Sequence, residues 1–270
     1  MAGTLTLGIV GVGNLGGALA EGALAAGAVG RVVGSDVSKE RLTELTERLG
    51  DQFQSATPQQ ATASADIVVV AVKPHLVPVV LRQIKGSLPA GSVVVSVAAG
   101  VPTAKISPSL PDRWPIVRAM PNLAMVVGAS ATALCANEHV SEEQLDSIET
   151  VFRSVGTTVR VDESMMHVVT GLTGSGPAYV SVLIDGLISG AVKKGLSTDL
   201  ARELVVQLFY GSAKLLQETD LHPSQLRDRV TTPGGTTIAG LSELEAHAVR
   251  SALMSAVEAA AERSEELAQS

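Results

Sequence analysis

The strongest constraint on this chain is a glycine-spaced turn behind an apolar, β-branched run at its start. Thr4–Val10 has the composition of a short buried strand, and Gly11-Val12-Gly13-Asn14-Leu15-Gly16 follows it directly. Leu15–Ala26, rich in Ala and Leu, reads as a helix, and Arg31–Ser35 as a second strand ending beside Asp36. Strand, G-x-G-x-x-G turn, helix and strand in that order form the βαβ unit that binds dinucleotides. One glycine permits the tight turn, the next lets a pyrophosphate approach the backbone, and the third lets helix and strand pack closely. The phosphates of such a ligand sit over unpaired N–H groups at the helix N-terminus.

The pattern continues beyond this unit. Ser38–Leu49 carries Leu42, Leu45 and Leu49 at helical spacing, Asp66–Val72 reads as a buried strand, Val79–Ile84 as a helix and Ser92–Ala98 as a strand. Ile116–Met120, Ser130–Cys135 and Thr157–Val161 read as later strands of the same sheet, with Glu142–Val155 as a helix before the last. This alternation predicts an α/β domain over residues 1–162, a mostly parallel doubly wound sheet. From Ser164 onward nearly everything reads as helix, interrupted at Gly171–Pro177, Gly195-Leu196-Ser197 and Pro233–Gly235, so residues 163–270 are expected to form an all-α domain.

Composition narrows the function classes. Hydrophobic residues make up 46% of 270 residues while aromatics reach only 2%, so the core must be built from Ala, Val, Leu and Ile. The net charge of −7 lacks the basic footprint of a nucleic-acid binder. A single cysteine, Cys135, permits no intrachain disulfide and reads as buried filler. His75, His139, His167, His222 and His247 are scattered without metal-ligand spacing, so no metal is expected. The start of the chain lacks the order of a signal peptide. The charge-free stretches Ala119–Asn137 and Ser164–Ile184 are interrupted by Pro, Gly, Asn or Ser, which argues against a membrane span and for a cytoplasmic protein.

Several further segments carry ligand chemistry. Asp36 could accept hydrogen bonds from an adenosine ribose, favouring NAD, whereas Ser35, Ser38, Lys39 and Arg41 could surround a 2′-phosphate. Ala71-Val72-Lys73-Pro74-His75 and Ser96-Val97-Ala98-Ala99-Gly100 fall at carboxyl ends of expected strands, where small residues let a flat nicotinamide lie against the backbone. In the helical half, Thr170–Tyr179 and Thr231–Thr237 place hydroxyls and glycines before helices, a setting for a carboxylate.

Together, Gly11–Gly16, Ala71–Pro74, Ser96–Gly100, Arg118–Asn122, Thr170–Tyr179 and Gln225–Ile238 resemble pyrroline-5-carboxylate reductases. The runs Thr-Gly-Leu-Thr-Gly-Ser-Gly-Pro-Ala-Tyr and Pro-Gly-Gly-Thr-Thr-Ile are more specific than the glycine turn. The resemblance implies a Rossmann domain followed by a helical domain that interlocks with a second subunit, with homodimers assembling further, commonly to decamers. It implies reduction of 1-pyrroline-5-carboxylate to L-proline by NADPH, with NADH as the alternative. By residue match, Thr237 meets the ring nitrogen, and Thr232, Gly235 and Thr236 hold the substrate carboxylate. Ser175 and Gly176 line the site, and Asp220 lies near the substrate. Gly11, Gly13, Asn14, Leu15, Gly16, Ser35, Asp36, Ala71, Val72, Lys73, Pro74, Ala98 and Ala99 hold the cofactor.

Two other readings compete. A β-hydroxyacid dehydrogenase also joins a Rossmann domain to a helical one and would use a helix-borne lysine, Lys193 or Lys194 here. A nucleotide-sensing protein without catalytic activity would keep Gly11–Gly16 but has no need of Pro233–Thr237.

Overall fold

A computed structural model describes residues 5–269; Thr4, expected to open the first strand, lies outside the described residues. The described chain divides into two compact units, the first running to Ser175 and regaining the chain from Ala259, the second comprising Gly176–Glu258.

In the first unit strands and helices alternate: β1 (Thr6–Val10), α1 (Asn14–Ala25), β2 (Arg31–Ser35), α2 (Lys39–Leu49), β3 (Phe53–Ser55), α3 (Pro58–Thr62), β4 (Ile67–Val70), α4 (Val77–Ile84), β5 (Val93–Ser96), α5 (Thr103–Ile106), β6 (Ile116–Met120), β7 (Ser130–Ala136), α6 (Glu142–Arg153) and β8 (Gly156–Arg160). Among the described residues they build one eight-stranded sheet in the order β3-β2-β1-β4-β5-β6-β7-β8. Both halves wind outward from β1 and β4, so the topological switch point, where such sheets bind ligands, lies between these strands.

The central strands β4 and β5 are buried and almost wholly apolar because helices cover both faces, whereas the edge strands β3 and β8 keep polar, exposed positions. Ile67, Val69, Val93 and Val95 pack with Leu19 of α1 and Phe152 of α6, whereas Val68, Val70 and Val94 pack with Leu81 and Ile84 of α4. Every pairing is parallel except β6 with β7, which run antiparallel with Arg118 opposite Cys135. Residues 121–129, which join these two strands, are too few for the crossover that parallel strands need.

α7 (Met166–Val169) leads into Thr170–Gly174, which forms a π-turn, and α8 (Gly176–Lys193) follows. The expected break at Gly171–Pro177 is therefore absent. Glycines and Pro177 do not interrupt the helical run 163–193, which is long and apolar enough by length and composition alone to cross a membrane.

Within the second unit α8 packs on α9 (Thr198–Glu218), and α10 (Pro223–Arg229), α11 (Thr236–Ala246) and the first turns of α12 (Val249–Gln269) complete it. Its buried apolar residues are Ala201 and Val205 alone among the described residues. Val182, Leu204, Leu208 and Tyr210 are exposed.

Candidate active site

The glycine turn has the conformation its sequence requires. Gly11 adopts a φ of +99°, and a Cβ there would lie 2.4 Å from the carbonyl oxygen of Ala71. A Cβ on Gly16 would lie 2.0 Å from the Gly11 carbonyl oxygen, so only glycine allows α1 to meet β1 this closely. Gly13 differs: a Cβ there would meet nothing within 4 Å. It N-caps α1 with no side-chain hydrogen bond, and no acidic residue occupies the first turn. Uncapped N–H groups beside open space form a cradle for a pyrophosphate, so the residues present fit a dinucleotide.

Other candidate cofactor residues gather at the same end of the sheet. Ser35 ends β2 and is buried; Asp36, half-buried, follows it, and its Oδ1 accepts the Ser38 N–H at 3.0 Å. Ala71, Val72, Lys73 and Pro74 follow β4, with Lys73 and Pro74 exposed. Ala98 is buried and Ala99 half-buried beyond β5. A cleft of about 520 Å³ opens here, lined by Pro74, His75, Ala99, Gly100, Val101 and Lys105 among others. His75 closes the Ala71–His75 segment that the sequence marks, whereas Val101 and Lys105 lie outside every marked segment. Nothing in the spacing of these two marks them, because the chain entering α5 brings them to the cleft.

Beside the cleft, β6 delivers Met120-Pro121-Asn122. Asn122 holds its turn by accepting the Ala124 N–H at 3.1 Å and donating its own backbone N–H to Ser130 Oγ at 3.1 Å. The buried Arg118 guanidinium donates through Nη1 to Glu163 at 2.8 Å, and Glu163 also takes the Thr103 N–H at 2.8 Å and its hydroxyl. Burial pushes the Glu163 pKa up, but hydrogen bonds from Thr103 and Arg118 outweigh it and hold the carboxyl below its ordinary value. Cys135 is buried, and burial pushes its thiol pKa up, as expected of an inert filler.

The Thr170–Tyr179 segment was expected to be a loop ending in a helix N-terminus and is instead helical. Ser175 donates its N–H to the Thr170 carbonyl at 3.0 Å, the bond that closes the π-turn, so this N–H is not free for a ligand. Ser/Thr hydroxyls and glycines, which punctuate loops, here fill a π-turn, a form found at functional sites. Gly174 sits close to β6: a Cβ there would lie 2.5 Å from Met120 Cε, the end of a flexible side chain that would have to shift.

In the second unit Thr231–Gly235 forms the turn expected of it, while Thr236 and Thr237 already open α11. Gly234 has a φ of +69°, and Gly235 donates its N–H to the Thr232 carbonyl at 3.0 Å. Gly235 then N-caps α11 without any side-chain hydrogen bond, leaving the first-turn N–H groups from Thr236 and Thr237 onward uncapped. Thr237 is half-buried, Thr232 and Thr236 exposed. Asp220, exposed, lies between α9 and α10. The cofactor candidates and Ser175 thus belong to the first unit, and Gly176, Asp220, Thr232, Gly235, Thr236 and Thr237 to the second. Lys193 and Lys194, the lysines considered for hydroxyacid chemistry, are exposed at the end of α8. Among the described residues no cluster of three or more His, Cys, Asp or Glu side chains is placed to hold a metal.

A doubly wound sheet with an uncapped glycine cradle at its switch point, followed by helices, defines a dinucleotide-binding protein. Residues 6–100 match the family described as "NADP oxidoreductase coenzyme F420-dependent", and residues 163–267 match "Pyrroline-5-carboxylate reductase dimerisation". The chain belongs to the pyrroline-5-carboxylate reductase family. It is 38% identical over 97% of its length to the pyrroline-5-carboxylate reductase of Methanosarcina acetivorans, covering 97% of that protein. Its structure is similar to that of the Coxiella burnetii pyrroline-5-carboxylate reductase, with a TM-score of 0.92, 34% identity and 99% of each chain covered. The Plasmodium falciparum pyrroline carboxylate reductase, solved with NADP bound, matches at a TM-score of 0.86 and 31% identity over 98% of each chain.

Proposed function

We propose that this chain reduces 1-pyrroline-5-carboxylate to L-proline with NAD(P)H, the last step of proline synthesis. The observation that carries this reading is that one chain joins two uncapped helix starts, at Gly13 and Gly235, along the full length of relatives named for that activity. Residues 1–162 would serve as the cofactor domain and 163–270 as the substrate-binding and dimerisation domain.

When bound, the dihydronicotinamide supplies a hydride to the C=N carbon of the substrate. The chain's own residues do the rest. Gly11, Gly13, Asn14, Leu15 and Gly16 hold the pyrophosphate against α1. Ser35 and Asp36 take the adenosine ribose, and Ala71–Pro74 with Ala98 and Ala99 seat the nicotinamide half. Thr232, Gly235 and Thr236 bind the carboxylate at the α11 N-terminus, where uncapped N–H groups and the helix dipole favour an anion. Ser175 and Gly176 line the pocket, and Asp220 lies near the substrate. Thr237 faces the ring nitrogen and relays a proton to it when the imine enters uncharged. As hydride arrives an iminium loses its positive charge, so no oxyanion hole is required and alignment is the main demand.

The working form is a homodimer that assembles further, to a decamer, in the cytoplasm, with neither nucleic acid nor membrane as partner. Exposed Leu204, Leu208 and Tyr210 in a unit that buries little of its own apolar surface support a protein partner. The apolar run 163–193 coincides with the start of the dimerisation match, which favours a second chain over a bilayer as its cover.

The test is a steady-state assay with 1-pyrroline-5-carboxylate, using NADPH and then NADH, with proline measured as product. Cofactor oxidation with stoichiometric proline supports the reading. Turnover of 3-hydroxyacids without it would move the assignment to the β-hydroxyacid dehydrogenases, and cofactor binding with no turnover would make the chain a sensor.

A further inference from the structure

The end of β2 leaves cofactor choice open in sequence, since two carboxylates, Asp36 and Glu40, and two cations share six positions from Asp36 to Arg41. Their side chains are placed unequally. One Asp36 oxygen is already engaged by the Ser38 N–H at 3.0 Å, a local turn that fixes the carboxyl to its own backbone. Lys39 is exposed and makes no ion pair among the described residues.

Arg41 is drawn back over the glycine turn. Its Nε donates to the Val12 carbonyl at 3.0 Å, and its Nη1 to Glu44 at 2.6 Å. Its side chain is 24% exposed. Gly17 makes the room: a Cβ there would lie 2.4 Å from Arg41 Nη2. Nη2 itself has no protein acceptor among the described residues, while the other two guanidinium nitrogens are engaged. A planar donor fork is thus fixed by two bonds and a glycine over the β1–α1 turn, from the first turn of the helix that follows β2, the strand at whose end the adenosine ribose of a bound dinucleotide lies.

We infer that Arg41, rather than Asp36, sets the cofactor preference of this chain, by presenting its guanidinium to the 2′-phosphate of NADPH. The inference rests on the proposed dinucleotide-dependent function and names a residue that decides which dinucleotide serves. A phosphate dianion beside Arg41 gains charge-assisted hydrogen bonds from a group that is already immobilised and so loses little side-chain entropy. Glu44 neutralises part of the charge from the far side, yet it pairs with Nη1 and leaves Nη2 open.

Calorimetric binding of two small fragments tests this without turnover: adenosine 2′,5′-bisphosphate and adenosine 5′-monophosphate, against the wild type, Arg41→Ala and Asp36→Asn. The wild type is expected to bind the bisphosphate at least tenfold more tightly. Arg41→Ala is expected to cut that ratio by about 10- to 100-fold, the range for a hydrogen bond to a charged group, while Asp36→Asn leaves the preference in place. If Arg41→Ala weakens both fragments equally, Arg41 only braces the glycine turn through Val12 and the inference is overturned. A wild-type preference for the monophosphate, abolished by Asp36→Asn, overturns it in favour of Asp36. If the folded wild type binds neither fragment nor NADP⁺, the dinucleotide-dependent function fails, and the inference with it.

Discussion

Arg118, buried in β6, donates to the carboxylate of Glu163 at 2.8 Å, joining the middle of the sheet to the first turn of the helical run 163–193. Arg118 lies two residues before Met120, whose side-chain end approaches Gly174. Removing Glu163 leaves a buried guanidinium uncompensated. Breaking a buried pair costs about 3–5 kcal/mol, and because Glu163 is partly exposed the loss for Glu163→Gln should be nearer ~2 kcal/mol. Arg118→Met in the same background should recover part of it, because the orphaned charge then disappears. Urea unfolding of the two single variants and the double variant reads this coupling directly; simple additivity would contradict it.

The same pair has a pH signature. The Glu163 carboxyl titrates below its ordinary value of 4.5 in the folded chain. A depressed folded pKa means that its contribution is fully present above the unfolded value and is lost as pH falls through the folded one. Wild-type stability should therefore decline more steeply with acidification below pH 4.5 than that of Glu163→Gln, and the two curves should converge at the acid end. Parallel curves across that window would show that the carboxylate is not held this way.

Three glycines of the same turn should fail differently. Gly16→Ala sets a methyl 2.0 Å from the Gly11 carbonyl, and Gly11→Ala adds the strain of a φ of +99° to a 2.4 Å clash with Ala71. Both should lower the thermal midpoint, with an overpacking cost of about 1–3 kcal/mol or more. Gly13→Ala meets no protein atom and should cost only the poorer N-capping of alanine, about 1 kcal/mol or less, yet it fills the cradle and should weaken NADP⁺ binding by about tenfold or more. Calorimetry of unfolding and of binding separates the two classes. Unchanged NADP⁺ binding by Gly13→Ala would mean that its open side is not a ligand cradle.

Legibility in the sequence followed the reach of the interactions. Arg31–Ser35 and Ile116–Met120 are strands with the bounds their β-branched composition suggests, because covered parallel strands leave a continuous apolar record. Phe53–Ser55 went unrecognised, since a three-residue strand at the sheet edge has two exposed positions and no pattern. Thr170–Gly174 was misread because the residues that mark a loop also suit a π-turn, where Thr170 and Thr173 hydroxyls bond back to Met166 and Val169 carbonyls. The conformation of the glycine turn was legible in its spacing, although the approach of Gly11 to the Ala71 carbonyl, sixty residues on, was not. The Arg118–Glu163 pair joins residues 45 apart and left no local trace. Arg41 was visible only as one of several polar residues, and the Val12 carbonyl and the space at Gly17 single it out.

Thr237 stands in the first turn of α11, half-buried behind a cap that offers no side chain. As the proposed proton relay it should be dispensable for folding and costly for turnover. Thr237→Ala is expected to change stability by less than about 0.5 kcal/mol and to lower kcat by about 100-fold near neutral pH. The defect should narrow on acidification, where more of the imine arrives already protonated, and Thr237→Ser should restore most of the rate. Wild-type turnover by Thr237→Ala at every pH would remove the residue from the mechanism.

The second unit exposes Leu204 at 53% and Leu208 at 55% on one helix, α9, whose buried apolar residues are Ala201 and Val205. Positions 204 and 208 are four apart and so share a face, and a stable partner would be expected to cover about 800 Å² on each chain. Leu204→Asp with Leu208→Asp places two charges on that face. Light scattering behind size exclusion should show the wild type as a dimer or larger assembly and the double variant as a monomer. Loss of catalytic activity should accompany dissociation, while NADP⁺ binding by the glycine cradle of the first unit persists. A double variant that keeps the wild-type mass would place the partner surface on another face of the helical unit.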